Sequence, residues 1–204
     1  MTLIKNKLYE IEEADIPKVG QILAAAFEHN PIWEQVLAGC NSSKRNNFFE
    51  SPVKYCMKYG KAIAPSPGIE GFIGWLPGEF AEITFERILR SGVTKSGRKA
   101  GFKAMFRMMP LRIFDKDRKK CMGNKPYIYV MIVGVSPKFQ GHGIGGKLLR
   151  SVIAESEKTN LPIYLETSTS DNASMYEHLG FKVLKKISVP KLNLIQWELL
   201  REPN

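Results

Sequence analysis

Apolar positions along the chain recur with two periods, and the period changes several times. Spacings of three and four residues predict amphipathic helices, whereas alternation and short continuous apolar runs predict strands. In the amino-terminal half these rules predict a strand at 8–12, helices at 15–27, 32–38 and 44–59, a hairpin of 62–64 and 69–76, and a helix at 79–90. Pro52 is expected to interrupt the third helix.

The carboxy-terminal half gives a clearer pattern. Residues 127–135 form a nearly continuous run of branched and aromatic side chains, which is typical of a central strand buried on both faces. A glycine-rich stretch follows, and the apolar positions from Ile144 onward then take helical spacing. Beyond that helix the pattern predicts a strand at 163–167, a short helix from 170 or 171 to 179, and two strands at 181–188 and 192–199.

The length and composition are those of one globular domain. The chain has 204 residues, 44% of them hydrophobic, so a single domain over 1–204 with a substantial core is expected. No apolar run reaches the ~20 residues of a membrane helix, and the amino terminus lacks a signal-peptide pattern, so a cytoplasmic location is expected. The three cysteines and three histidines are scattered, which predicts neither a disulfide framework nor a metal site.

Most of the net charge of +10 lies in one segment. Residues 94–120 carry ten basic and two acidic side chains, and apolar side chains stand among them at Phe102, Met105, Phe106, Met109 and Ile113. These spacings of three and four predict an amphipathic helix that covers one face of a sheet and exposes a basic face. Pro110 is expected to end or kink it. An arm that binds a membrane surface or nucleic acid is the less favoured interpretation.

The glycine-rich stretch QGHGIGGKLL, residues 140–149, stands between the predicted central strand and the next helix. A helix start presents unpaired amide hydrogens, and glycines let an anion approach them, so a phosphate site is expected here. Gly141, Gly143 and Gly146 match the dinucleotide fingerprint, but five residues separate them from the strand. A Walker A loop also fits in part, although Leu148 occupies the position of the hydroxyl that binds magnesium.

The third signature is the acyl-coenzyme A loop of the GCN5-related N-acetyltransferase (GNAT) superfamily, which this region resembles. Gln140, Gly143 and Gly145 fill the pattern of that loop. Gly134–Pro137 resembles the end of the family's fourth strand, and the stretch 165–183 is similar to its closing helix and strand. The resemblance implies an α/β fold with a central twisted mixed sheet of about six to seven strands flanked by helices. The basic segment would then be a helical insertion before the fourth strand.

The resemblance also implies acetyl-CoA as the cofactor and assigns residues to it. Coenzyme A offers a pyrophosphate to helix-start amides and an extended pantetheine arm to a strand edge, so the chemistry agrees with the pattern. The residues assigned to the cofactor are Val133, Gly134, Val135, Gln140, Gly141, His142, Gly143, Ile144, Gly145, Gly146 and Asn172. For Val133 and Val135, simple core packing remains an equally acceptable interpretation.

Two side chains are assigned to catalysis. By resemblance Tyr176 donates a proton or hydrogen bond to the departing thiolate, and Asn172, four residues earlier, lies on the same helix face. The acceptor amine must lose a proton, yet the predicted fourth strand, where the family often places a glutamate, contains no acid. Glu166 on the next strand is the candidate base, with a chain of waters or a solvent-facing structural carboxylate as alternatives.

These features favour an acetyl-CoA-dependent N-acetyltransferase acting on a primary amine of a small molecule or peptide by direct attack in a ternary complex. The segments 28–33 and 189–192 are expected to contribute to acceptor specificity. No membrane partner is expected, nucleic acid is not favoured, and a homodimer is left open. A catalytically inactive acyl-CoA-binding domain and a basic nucleic-acid- or ribosome-binding domain are the alternatives.

Overall fold

The computed structural model describes residues 8–93, 102–189 and 194–204. The strands within these ranges are β1 Tyr9–Glu10, β2 Lys61–Ala64, β3 Gly71–Pro77, β4 Ile128–Val135, β5 Ile163–Thr167, β6 Lys182–Val189 and β7 Leu194–Arg201. The helices are α1 Ile16–Ala26, α2 Pro31–Val36, α3 Ser42–Tyr59, α4 Phe85–Arg90, α5 Phe102–Met108, α6 Arg112–Met122, α7 Ile144–Thr159 and α8 Ser170–His178.

The seven strands form one mixed sheet in the order β1-β2-β3-β4-β5-β7-β6. Neighbouring strands pair antiparallel except β4 and β5, which are parallel and joined through α7. The predicted α/β architecture with a mixed sheet flanked by helices is confirmed. Among the described residues, no helix is both long enough and apolar enough to cross a membrane.

Helices cover both faces of the sheet and so create two hydrophobic cores. On one face, α1 and α3 pack against β3 and β4 and bury side chains such as Leu23, Phe49 and Phe72. On the other face, α7 buries Leu148, Leu149 and Val152 against the central strands. The helical stripe that begins at Ile144 therefore faces the sheet, as its spacing predicts.

Several predicted boundaries are wrong, and each has a local cause. β1 contains only two residues of the predicted 8–12. α3 continues through Pro52 without interruption. α4 begins at Phe85 and not at 79, because a 3-10 turn occupies Gly78–Phe80 and the Thr84 hydroxyl accepts the Arg87 amide as the helix cap. The remaining segment Pro190–Asn193, within the predicted last hairpin, lies outside the described residues.

The basic segment forms two helices where one was predicted. Residues 94–101 lie outside the described ranges, and the described part consists of α5 and α6 with a 3-10 turn, Met109–Leu111, between them. Pro110 stands in that turn, so its expected role as a helix breaker is confirmed.

The inward face of α6 is the opposite of the predicted one. Its buried side chains are Phe114, Asp117, Arg118 and Met122, while Ile113 from the predicted apolar stripe is exposed. The two buried charges are compensated by partners on the sheet, since Arg118 pairs with Glu166 of β5 and Asp117 pairs with Lys185 of β6. The prediction that the apolar stripe covers the sheet is therefore wrong for this helix.

Candidate functional site

A gap opens between β4 and β5 where the two parallel strands diverge. Their backbones pair only at Ile128 with Ile163 and at Tyr129 with Tyr164. Beyond Tyr129, β4 continues to Val135 and stays paired on its other side with β3, as far as Gly71. One edge of β4 therefore presents backbone hydrogen-bonding groups that β5 does not occupy.

Backbone alternation shows which residues of β4 face this gap. The Ser136 amide donates to Glu70 O on the β3 side at 2.9 Å. Because successive residues of a strand direct their backbone groups to opposite edges, the groups of Val135 and Val133 point toward the gap. The Gln140 side chain donates from Nε2 to Val135 O at 3.1 Å, which is consistent with this direction.

Gly134 differs from its two neighbours. It pairs with Phe72 of β3, and a Cβ at this position would lie 2.8 Å from Leu23 Cδ2 on α1. The absence of a side chain here allows the close approach of α1 to the sheet, and a Cβ would displace the Leu23 side chain. The assignment of Gly134 to the cofactor stays a prediction beside this packing role.

The loop after β4 is exposed and shaped by two glycines in the left-handed region. A 3-10 turn, Pro137–Phe139, follows the strand, and φ is +79° at Gly141 and +74° at Gly143. Side chains are disfavoured at such angles, and a Cβ on either glycine would point into open space. His142 lies exposed between them, with Nδ1 2.9 Å from Gln140 O.

This loop leads directly into the amino terminus of α7. Gly143 is the N-cap residue of α7. The Lys147 amide donates to Gly143 O at 3.0 Å, which is the first hydrogen bond of the helix. The preceding helical amides, of Ile144, Gly145 and Gly146, belong to the first turn, which has no intrahelical acceptors. A Cβ on Gly145 would make only ordinary contact with Val135, so backbone and helix dipole are open to an anion.

Helix α8 follows β5 and carries Asn172 and Tyr176, the two residues that the resemblance assigns to the site. The Thr169 hydroxyl caps it by accepting the Asn172 amide at 3.4 Å. Tyr176 is buried in the core on the α7 side and packs edge-to-face on Phe181, whereas Asn172 is exposed. The two residues therefore occupy different environments although they lie one turn apart. Burial raises the pKa of the Tyr176 hydroxyl above its ordinary value.

Glu166 lies in a buried cluster on the opposite face of the sheet. Its side chain is 8% exposed, Arg118 donates from Nη1 to Oε1 at 2.8 Å, and the Tyr129 hydroxyl donates to Oε2 at 2.8 Å. Burial raises the pKa of Glu166, and Arg118 and the hydrogen bond from Tyr129 oppose that rise. The solvent-facing alternative for this carboxylate is therefore wrong.

The contact between Glu166 and Tyr129 bridges β5 and β4 where their pairing ends. Tyr129 is the last residue of β4 with a backbone partner on β5, and the guanidinium carbon of Arg118 lies 4.3 Å from its ring centroid. Arg118 also donates to Ala81 O at 3.1 Å and pairs with Asp115. The cluster thus fixes the closed end of the gap with charge-assisted hydrogen bonds.

A second buried carboxylate lies beside this cluster. Glu198 of β7 is directly opposite Glu166 in register and is fully buried. Cys121 donates its thiol to Glu198 Oε2 at 3.7 Å, while Glu198 Oε1 and the Tyr164 hydroxyl have no hydrogen-bond partner within the described residues. Burial raises the pKa of Glu198. No cluster of three or more His, Cys, Asp or Glu side chains suited to a metal occurs in the part of the chain that the structure describes.

Residues 111–183 match the family model of the acetyltransferase (GNAT) domain. This segment of the chain is therefore similar to the GNAT domain. In a curated relative from Schizosaccharomyces pombe, described as an uncharacterized N-acetyltransferase, 40% of residues are identical over 65 positions. That match covers 32% of this chain and 26% of the relative, so it spans about a quarter of the length of that protein.

Two solved structures share the fold of this chain. One is a histone acetyltransferase HPA2 and related acetyltransferase from Corynebacterium glutamicum, with a TM-score of 0.66 and 21% identity over 97% of this chain and 96% of that one. The other is a putative arylalkylamine N-acetyltransferase 7 from Aedes aegypti, with a TM-score of 0.66 and 12% identity over 96% of this chain and 86% of that one. At these identities the comparison concerns the fold.

Sequence reasoning missed Arg118 as a component of this candidate site. It stands in a run of basic residues that the pattern assigns to solvent, and no local feature distinguishes it from Lys119 or Lys120. The segment 28–33, expected near the acceptor, is anchored to the end of β5, because Asn30 donates from Nδ2 to Ser168 Oγ at 3.0 Å. Asn30 also caps α2 by accepting the Ile32 and Trp33 amides.

Proposed function

We propose that residues 1–204 form a single N-acetyltransferase domain that uses acetyl-CoA to acetylate a primary amine of a small molecule or peptide. The observation that carries this proposal is the unpaired edge of β4, which opens directly beside the exposed first turn of α7. Such a site suits a ligand that has both an extended arm, which can pair with the strand edge, and a diphosphate, which can bind the amides at the helix start. Transfer would occur by direct attack of the amine in a ternary complex.

The chain offers a group for each part of the cofactor. The gap-facing backbone of Val133 and Val135 would pair with the pantetheine arm, and the amides of 141–146 would hold the pyrophosphate. Gln140 and His142 would support this loop through their contacts with Val135 O and Gln140 O, and the exposed Asn172 side chain would contact the arm.

Tyr176 would act as the hydrogen-bond donor to the departing thiolate. Acetyl-CoA supplies a thioester, in which the carbon–sulfur bond breaks as the amine nitrogen bonds to the carbonyl carbon. Transfer of a proton from a phenol of pKa ~10 to a thiolate of pKa ~8.5 is uphill by about 2 kcal/mol in water. Because burial raises the pKa of Tyr176 further, hydrogen bonding and not full transfer is the favoured role.

Glu166 would accept the proton of the acceptor amine, directly or through water. A lysine-like ammonium has a pKa of ~10.4, so it needs a proton acceptor at neutral pH. Because Glu166 faces away from α7, we expect the acceptor to bind on the side covered by α1, α3 and α6. Burial raises the pKa of Glu166 and so strengthens it as a base, whereas Arg118 opposes that rise.

The first experiment measures binding and turnover separately. Calorimetric titration with acetyl-CoA tests the cofactor site, and thiol release is then followed across a panel of arylalkylamines, polyamines, amino acids and peptides. Arylalkylamines lead the panel because the Aedes aegypti relative is named for them. Saturable binding with thiol release for at least one amine is expected, whereas absence of calorimetric binding would refute the proposal.

Glu166→Gln tests the base, with Glu177→Gln on the exposed surface of α8 as the matched control. The first variant should lower kcat/KM and remove the acidic limb of its pH profile, while the control should match the wild type. An unchanged profile would leave water as the proton acceptor.

One observation favours the alternative that the chain is a catalytically inactive acyl-CoA-binding domain. Both oxygens of Glu166 already accept hydrogen bonds, one from Arg118 and one from Tyr129. If acetyl-CoA binds but no amine in the panel releases thiol, the acyl-CoA-binding domain without transfer becomes the better interpretation.

A further inference from the structure

Exposed large hydrophobic side chains outside the proposed active site concentrate in one stretch of the chain. Within the described residues, six of the ten exposed large hydrophobic side chains lie between positions 83 and 113: Ile83, Phe85, Leu89, Phe106, Met109 and Ile113. Phe85 is 75% exposed and Phe106 is 70% exposed. Single exposed apolar residues are ordinary, but a concentration of this kind marks an interaction surface.

Basic side chains are interleaved with these apolar ones. Lys103, Arg112, Lys116 and Lys120 are exposed and form no ion pair within the described residues. On α6 and the turn before it, Met109, Arg112, Ile113, Lys116 and Lys120 follow one another at spacings of three, one, three and four, so they lie on the outward side of the helix. We call the six hydrophobic and four basic residues the apolar-basic surface.

The two parts of this surface are adjacent. Glu82, which precedes Ile83, lines the same groove as Met109 and Arg112, and Lys119 lies 3.9 Å from Glu82. The inner sides of the same helices are anchored to the domain. Arg107 donates to Ala38 O at the end of α2, and Arg118 reaches Glu166 on β5. The apolar side chains are therefore held outward by the ion pairs and hydrogen bonds on the inner side.

We infer that the apolar-basic surface binds the interface of a bilayer that contains anionic lipids. Apolar side chains would enter the headgroup and acyl boundary, and the unpaired cations would lie against the lipid phosphates and carboxylates. The expectation of no membrane partner assumed that the apolar stripe covers the sheet, and Ile113 shows that it does not.

The charge of the surface argues against its burial by a second copy of the chain. A twofold contact through this surface would bring the exposed cations of one copy against the same basic surface of the other, and like charges would repel. The aliphatic members argue against nucleic acid. Ile83, Leu89 and Ile113 offer no aromatic ring on which a base could stack. Contact between these aliphatic side chains and the phosphates of a nucleic acid would not stabilise the complex.

The test is co-sedimentation of the full chain, without acetyl-CoA, with phosphatidylcholine vesicles that contain or lack phosphatidylserine. Binding to the phosphatidylserine vesicles, lost in the pure phosphatidylcholine vesicles and weakened by salt, is expected. Phe85→Ser combined with Phe106→Ser should weaken binding by about tenfold or more, because each exposed phenyl ring loses its insertion. Lys116→Glu combined with Lys120→Glu should abolish it.

Matched controls separate this surface from the rest of the molecule. Leu184→Ser removes an exposed hydrophobic side chain on β6, and Lys182→Glu reverses an exposed charge on the same strand, so neither should alter vesicle binding. Circular dichroism confirms that each variant is folded. The inference is overturned if phosphatidylserine vesicles do not bind, or if the phenylalanine variant instead dissociates a dimer in sedimentation. It is equally overturned if a single-stranded RNA binds more tightly than the vesicles and ignores the phenylalanine variant.

Discussion

Replacing Arg118 by methionine should destabilise the fold in a way that depends on pH. The side chain is 4% exposed and contributes one ion pair to Glu166, one to Asp115 and a hydrogen bond to Ala81 O. Methionine retains much of the volume but leaves the Glu166 carboxylate buried without its cation. Breaking a buried pair in this way costs about 3–5 kcal/mol of unfolding free energy near neutral pH.

The sign of the pH dependence follows from the pKa of Glu166. Burial raises the folded pKa above that of the unfolded chain, so the folded state binds more protons between the two values and stability falls as pH rises through them. Loss of Arg118 raises the folded pKa further and extends this window upward. The groups that still face Glu166 are Tyr129, which donates to it, and Glu198, whose charge raises its pKa. The cost of Arg118→Met should therefore be larger at about pH 7.5 than at about pH 5.

Urea unfolding at the two pH values measures this difference. Lys119→Met is the matched control, because Lys119 is 79% exposed and its ion pair with Glu82 spans 3.9 Å, so its cost should stay below about 1 kcal/mol. In the double variant with Glu166→Gln, removal of the unpaired charge should restore about 1–3 kcal/mol at pH 7.5. A cost equal to that of the control, or a double variant no more stable than Arg118→Met, would refute the reasoning.

Three further predictions concern single positions. Gly134→Ala should cost about 1–3 kcal/mol in urea unfolding, because its Cβ would lie 2.8 Å from Leu23, whereas Gly145→Ala, at 3.7 Å from Val135, should change stability little. Tyr176→Phe should lower kcat while calorimetry shows the same affinity for acetyl-CoA, and unchanged turnover would exclude the donor role. Asn30→Ala should lower the unfolding free energy by about 0.5–2 kcal/mol, because the side chain caps α2 and donates to Ser168; an unaltered thermal midpoint would contradict this.

The sequence predicts the strand, loop and helix on the β4–α7 side of the candidate site well because its signals are local. The apolar run of β4, the glycines after it and the stripe of α7 follow one another within about thirty residues. Each signal reports the conformation of its own segment, and the segments are joined in chain order. The gap itself is less visible in the sequence, because the point where β4 leaves β5 depends on pairing between segments that α7 separates.

The boundary errors arise where a local cap competes with propensity. Residues 79–90 suit a helix throughout, but the Thr84 hydroxyl accepts the Arg87 amide and so starts the helix at Phe85. Pro52 shows the opposite case, since the packed faces of α3 maintain the helix through a residue that normally ends it. Propensity rules apply to isolated segments, and packing against the sheet outweighs them here.

The inversion of α6 has a different cause, because no signal for it exists within the helix. Periodicity assigns apolar residues to the inside since an unpaired buried charge is costly. Oppositely charged partners offset that cost, and here they are distant in the sequence. Glu166 lies 48 residues from Arg118, and Lys185 lies 68 residues from Asp117. Once those pairs fix which face of α6 packs against the sheet, Ile113 lies outside that face and is exposed. The Arg118–Glu166 pair at the closed end of the gap between β4 and β5 thus lies on the inner face of the helix that exposes Ile113, which joins the proposed active site and the proposed membrane surface in one helix.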